Sequence, residues 1–222
     1  MELPTNMTTG IEREAVKKTL ASNKVKACVL MSNFSNPSGS MMPNEHKQEV
    51  VRLMDFYNVP LIEDDIHSDL YFGASRPTSC KTYDQSGIVL SCSSVSKTLA
   101  PGYRVGWVSP GKFKKEILRT KLYHTISSPT ITHEDVGDFL KNGRYENHLR
   151  KIRQILNRNC NNYINTVLES FPAGTKVSQP QGGFFLWVEL DKKIDTAAFY
   201  HLALQHNISI APGRIFSFQD QF

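Results

Sequence analysis

Apolar positions along the chain alternate between helical spacing and short continuous runs. Ile11, Ala15, Val16 and Leu20 mark a helix from Ile11 to about Ala21, because apolar residues three and four apart share one helix face. Lys26-Ala27-Cys28-Val29-Leu30-Met31 is a compact apolar run that reads as a central strand. A second helix is expected from about Asn44 to Tyr57, with Val50, Val51, Leu53, Met54 and Tyr57 as its buried stripe. Val59 to Ile62 reads as a second strand, ending in Glu63-Asp64-Asp65. Ile88 to Cys92 is a third, and Val105 to Val108 a fourth after a Pro-Gly turn. Helices are expected from Gly111 to about Thr125 and from roughly Tyr145 to Leu168.

Strand, helix, strand in this order predicts an α/β fold with a mostly parallel sheet covered by helices. Residues 1–10 form a polar lead-in. Beyond Pro172 the character changes: Gly183 to Leu190 reads as a strand, Thr196 to His206 as a helix, and Ile208 to Ala211 as a short strand. The chain therefore divides into a large unit over residues 1–171, which includes the long helix, and part of a smaller α+β unit over residues 172–222.

Composition narrows the class without deciding it. With 222 residues, 40% of them hydrophobic and 21% charged, the chain has the makeup of an ordinary globular protein. The formal charge of +5 is spread along predicted helices, which describes solvated faces better than a nucleic-acid surface. Cys28, Cys80, Cys92 and Cys160 are far apart and form no C-x-x-C pair, so neither a disulfide framework nor a zinc site is expected. The absence of a long apolar run or a signal-like N-terminus fits a cytoplasmic protein without membrane contact.

Three polar clusters follow three successive predicted strands. They are Asn36-Pro37-Ser38-Gly39, then Glu63-Asp64-Asp65-Ile66-His67, then Ser94-Val95-Ser96-Lys97 with Arg104 beyond it. Each alone has a plain structural explanation as a turn, a cap or a solvated lysine. Together they place an amide, a carboxylate, an amine and a guanidinium at one edge of a sheet, where α/β folds hold ligands. An amine that attacks a carbonyl must be neutral, and burial or a neighbouring cation such as Arg104 would favour that form. A carboxylate facing a ring nitrogen keeps that nitrogen protonated and the ring electron-withdrawing. Pyridoxal phosphate meets each of these demands.

These motifs, in this order, resemble those of fold type I, class I/II aminotransferases. The resemblance implies that Lys97 is the catalytic lysine that forms the imine, and that Asp64 partners the pyridine nitrogen. It implies further that Asn36 donates to the phenolic oxygen, while Ser94 and Arg104 bind the phosphate. His67 stands where the family usually has a tyrosine on the phenolic oxygen, so its charge is expected to vary near neutral pH. Asp65 is expected to be a cap or a solvated acid.

Within the superfamily, Ile62 to Gly73 and Ser96 to Gly102 are most similar to the MocR branch. Its members join a winged helix-turn-helix of GntR type to an aminotransferase-like domain and act mainly as transcriptional regulators. The resemblance implies a homodimer, an amine or amino-acid ligand, and DNA contact only through a winged helix that this sequence does not contain. It also implies a partial site: the family's phosphate cradle and ring-stacking aromatic have no counterpart here, and the sequence closes at Phe218 to Phe222 before the expected carboxylate-binding arginine. The fragment alone is accordingly expected to bind pyridoxal phosphate poorly and not to catalyse transamination. The alternative is a free-standing aminotransferase moving an amino group between an amino acid and a 2-oxo acid. A dinucleotide-binding fold lacks its glycine fingerprint here, and a purely structural module has no use for the Ser-x-Ser-Lys cluster.

Overall fold

The computed structural model describes residues 1–22 and 24–217. Residues 218–222, at which the sequence closes before the expected carboxylate-binding arginine, lie outside the described residues. A minimal hairpin, β1 (Thr5–Asn6) and β2 (Gly10–Ile11), occupies the expected polar lead-in. Helix α1 (Arg13–Ser22) then leads to β3 (Cys28–Leu30). Helix α2 (Asn44–Phe56) begins after Pro43 and carries Glu45 in its first turn, where a negative charge suits the helix dipole. It stops as Asn58 turns into the left-handed region at φ 51°, a conformation that asparagine tolerates. Strands β4 (Leu61–Asp64), β5 (Val89–Ser94) and β6 (Gly106–Ser109) complete a four-stranded sheet in the order β3-β4-β5-β6. The first three are parallel and β6 is antiparallel to β5.

The core lies between this sheet and the first two helices. Val16 and Leu20 of α1 meet Val50, Val51, Leu53 and Met54 of α2, packed with Leu30, Leu61 and Val89 of the strands. Burying each such side chain contributes about 1.5–3 kcal/mol, which outweighs the weak local propensity of short strands. Tyr57 of the expected stripe is only partly buried, at the rim of this cluster.

Beyond the sheet, α3 (Lys114–Thr125), α4 (Thr130–Lys141) and the 27-residue α5 (Arg144–Ser170) follow in order. Helix α4 was not anticipated, since Gly137 and two threonines blur its pattern and only Val136 is buried. The last part contains a two-rung hairpin of β7 (Lys176–Val177) with β8 (Val188–Glu189), and helix α6 (Thr196–Gln205).

Two expected strands are corrected here. Gly183 to Leu190 yields only Val188–Glu189 as strand. Gly183 adopts φ 76°, and its N–H donates to Leu70 O at 2.9 Å, so the chain bends across the loop after β4 and does not run straight. Ile208 to Ala211 forms no strand: Ile208 N donates back to Ala203 O at 2.9 Å, which closes the end of α6, and Pro212 follows. No helix among the described residues is long and apolar enough to cross a membrane.

Candidate functional site

Alternation along β4 divides the three acids at its end. Leu61 and Glu63 are buried while Ile62 and Asp64 are partly open, as a side-chain period of two requires. Glu63 is fully enclosed, accepting from Ser32 Oγ and Cys80 N at 2.6 Å and from Lys81 N at 3.0 Å. Asp64 accepts one backbone bond, from Ile66 N at 3.2 Å. Partial burial raises its pKa, with that bond pulling the other way and the charge of Asp65 adding a further rise.

Asp65 is neither a helix cap nor a solvated acid, contrary to expectation. It is 6% exposed, accepts from Ser68 Oγ and from Asn33 Nδ2, and pairs with Arg76 Nη2 at 2.5 Å. Its position one residue past the strand turns it toward the polar floor of the loop. Lys47 lies in the same region, 1% exposed, donating to Asn33 Oδ1 at 2.7 Å and Thr78 O at 2.8 Å. Burial lowers the pKa of Lys47, opposed by Glu63 and Asp65 among others.

Lys97 emerges from the turn directly after β5 and is exposed. Its Nζ lies 5.9 Å from the centre of the Phe184 ring and makes no hydrogen bond among the described residues. The following residue is held far more firmly. Thr98 is 2% exposed; Tyr145 Oη donates to its Oγ1 at 2.7 Å and His148 Nε2 bonds its carbonyl at 2.9 Å. Ser94 ends β5 opposite Gly106, and its Oγ accepts from Ser96 N at 3.2 Å. Arg104, in the left-handed region at φ 54°, is exposed and makes a long bond to Pro101 O at 3.4 Å.

Asn36 is exposed and precedes a cis peptide bond to Pro37. It lines, with Asp64, a cavity of about 1100 Å³ that runs along β3 to Trp187 and Phe216. Gly39 sits at φ 70°, and a side chain there would press on Pro180 and the Phe185 carbonyl. The segment around residues 180–185 thus covers the loop that carries Asn36.

His67 lies under the same segment, 3% exposed, with its ring edge-on to Phe184 and Phe185 at 5.2 and 5.1 Å between centres. Neither ring nitrogen has a hydrogen-bond partner among the described residues, although the Phe34 backbone acts on the imidazole against the effect of burial. Burial, reinforced by the charge of Lys97, lowers its pKa to about 4. The expected change of charge near neutral pH is therefore corrected: His67 is neutral there.

The structure places Asn36 and Asp64 on one cavity and His67 with Lys97 around Phe184. Ser94 and Arg104 lie at the β5–β6 junction. Sequence reasoning missed Tyr145, His148, Phe184 and the Asp65–Arg76 pair. The doublet Gly182-Gly183 beside two phenylalanines was the one local sign of a close crossing. The pairing of α5 with the lysine turn left none.

Residues 3–222 match the family Aminotransferase class I and II. The chain belongs to that family. Among its relatives, it is 40% identical over 217 residues to the HTH-type transcriptional regulator YdcR of Escherichia coli, spanning 98% of this chain and 46% of that protein. The HTH-type transcriptional regulator NorG of Staphylococcus aureus is 34% identical over 89% of this chain and 45% of its own length. This aminotransferase-family chain thus spans about half the length of the curated relatives it matches. Kynurenine aminotransferase of Pyrococcus horikoshii superposes with TM-score 0.93 at 24% identity, over 100% of this chain and 56% of that one. The α-aminoadipate aminotransferase LysN of Thermus thermophilus gives 0.91 at 23%, over 97% and 56%. At such identities the likeness establishes the fold.

Proposed function

We propose that this chain is the pyridoxal-phosphate-binding part of a MocR-type regulator, in which the aminotransferase fold senses the cofactor or an amine ligand. One observation carries the reading most directly. Asp64 and Lys97 leave the same end of two paired parallel strands, with Asp64 opposite Cys92 in the register of β4 and β5. The identity of 40% with an HTH-type regulator over nearly the whole chain favours a sensor over a free-standing enzyme.

The donor set fits the cofactor chemically. Asp64 has one backbone bond and lines the cavity, so its carboxylate is available to a protonated ring nitrogen, which would reverse the rise in its pKa. The Lys97 amine is not tied up in a hydrogen bond among the described residues, and Arg104 and Ser94 offer a charged fork and a hydroxyl suited to a phosphate. Asn36 supplies an amide donor for a ring oxygen. Neutral His67 beneath them supplies a donor or an acceptor according to its tautomer. Pyridoxal phosphate, when bound, supplies an electrophilic aldehyde and an electron-withdrawing ring. The chain's own residues hold that ring, orient it and carry the proton at Lys97 Nζ.

The reading includes a boundary near residue 172 between the large unit and a smaller one, a cytoplasmic location and a homodimeric parent. Leu118, Leu122, Tyr123, Ile126 and Ile131 present an exposed apolar surface of the kind a second subunit covers.

The test is borohydride reduction of the intact protein loaded with pyridoxal phosphate, followed by peptide mapping. The pyridoxyl mass should fall on Lys97; a label on another lysine refutes the assignment. Adding amino acids to the loaded protein then separates sensor from enzyme. A sensor changes its absorbance without accumulating a 2-oxo acid, whereas steady release of one would mark a free-standing aminotransferase.

A further inference from the structure

We propose that Tyr145 and His148 of α5 act together as a clamp on Thr98 that sets the position of the Lys97 amine. The proposal rests on the reading of Lys97 as the residue that takes the cofactor.

The geometry is specific. Tyr145 and His148 lie three apart, on one helix face, and both reach Thr98, one at the hydroxyl and one at the carbonyl, at 2.7 and 2.9 Å. The carbonyl can only accept, so it fixes His148 as the donor through Nε2. Tyr145 has one proton to give. The short bond to Thr98 takes it, and Asp69 Oδ2 at 3.4 Å is a weak secondary neighbour. Burial leads the causes that push the Tyr145 pKa up to about 12, which keeps that proton in place at any physiological pH.

The helix is a firm base for the clamp. Leu149 beside these residues is 2% exposed, and Phe139 of α4 meets both rings edge-on at 6.4 and 6.1 Å. Further along, Arg153 donates to Asp69 O at 2.7 Å and lies 3.9 Å from the centre of the Tyr71 ring. One helix therefore grips both the turn after β5 and the turn after β4. Lys97 needs such support, because its own Nζ has no hydrogen bond among the described residues and its stem has several free rotors. Backbone bonds from Leu99 and Ala100 to Val95 O at 2.8 and 3.1 Å shape the turn, and Thr98 is the point where it meets the helix. A clamp one residue from the amine limits where that amine can sit when it meets a carbonyl.

Tyr145 and His148 are positioning residues in this account, so the test must move something that a purely structural bond would not. Intact wild-type protein, Tyr145→Phe, Thr98→Val, Thr98→Ser and the double Tyr145→Phe/Thr98→Val are loaded with pyridoxal phosphate. Three quantities are read: the site of borohydride labelling, the pH midpoint of the visible absorbance, and the urea midpoint. Labelling of wild type on Lys97 secures the underlying reading, and labelling elsewhere sinks it along with the clamp. With Lys97 secured, Tyr145→Phe and Thr98→Val should each shift the absorbance midpoint by about 0.5–1 pH unit. The double variant should do no more than either single change, and Thr98→Ser should keep the wild-type value. A separate reading on the unloaded protein, the rate at which Lys97 is acetylated, should differ from wild type by about threefold or more in the same two variants. Unmoved absorbance midpoints and acetylation rates, even with lowered urea midpoints, would overturn the clamp and leave a staple between α5 and the sheet. Where Tyr145→Phe fails to fold, Thr98→Val carries the same comparison.

Discussion

Acidification tests the burial of His67 directly. In the folded chain its pKa is lowered to about 4 from 6.5 by burial and by Lys97, opposed by the Phe34 backbone and then by the charge of Asp65. The unfolded chain takes up a proton near the ordinary value. Between these two pKa values the unfolded state binds more protons than the native one, so stability rises with pH there. The contribution is fully present above about pH 7 and fades as pH falls through 6.5 toward 4. By linkage the loss amounts to about 2 kcal/mol at pH 5 and about 3 kcal/mol at pH 4. Carboxylates titrate over part of the same window, so the comparison is with His67→Phe, which keeps an aromatic ring against Phe184 and Phe185 and cannot ionise. Urea unfolding of both proteins at pH 7 and pH 5 isolates the histidine. The wild type should lose about 2 kcal/mol more than the variant between the two values, and the variant should match or exceed it at pH 7, since no unpaired ring nitrogen is then buried. Parallel losses in the two proteins would show that His67 is accessible or hydrogen-bonded, and that the packing described here is wrong.

Asp64 and Asp65 should separate binding from stability. Asp65→Ala takes the acceptor from the buried Ser68 hydroxyl and a partner from Arg76 and should cost about 2–4 kcal/mol in urea unfolding, whereas Asp64→Ala should change stability by less than about 1 kcal/mol. In absorbance titration with pyridoxal phosphate, Asp64→Ala should weaken affinity about 30- to 100-fold; equal effects of the two changes on both measurements would mean the assignment is out of register. Gly182→Ala should destabilise by about 1–3 kcal/mol through overpacking, because its new carbon would collide with the Phe34 ring and sit 2.7 Å from Leu70 O. Gly73→Ala, where nothing lies within 4 Å of the added carbon, is the control in thermal unfolding, and similar midpoints for the two would refute the close crossing.

The difference between what the sequence disclosed and what it withheld follows from the range of the interactions involved. Helix α2 and strands β4 and β5 were legible because their apolar periodicity is local and their burial agrees with it. The placing of Asp64 and Lys97 after neighbouring strands was legible for a related reason. Parallel strands expose their C-terminal ends together, so the loops that follow β3, β4 and β5 leave the same edge of the sheet. Alternation also separated Asp64 from its neighbours, yet it said nothing of what Asp65 would meet. Its partner Arg76 stands eleven residues on, in a loop without periodicity. His67 was misjudged on its titration because Phe184 and Phe185, which pack edge-on against the buried imidazole, come from more than a hundred residues away. Tyr145 and His148 are of the same kind. On the sequence they are two polar positions near the start of a long helix, and their meaning appears only when α5 is laid across the turn after β5. Chemistry written in one loop can be read from that loop. The environment that tunes it is written in segments that meet only on folding, and in this chain α5 and the Gly182–Phe185 crossing are those segments.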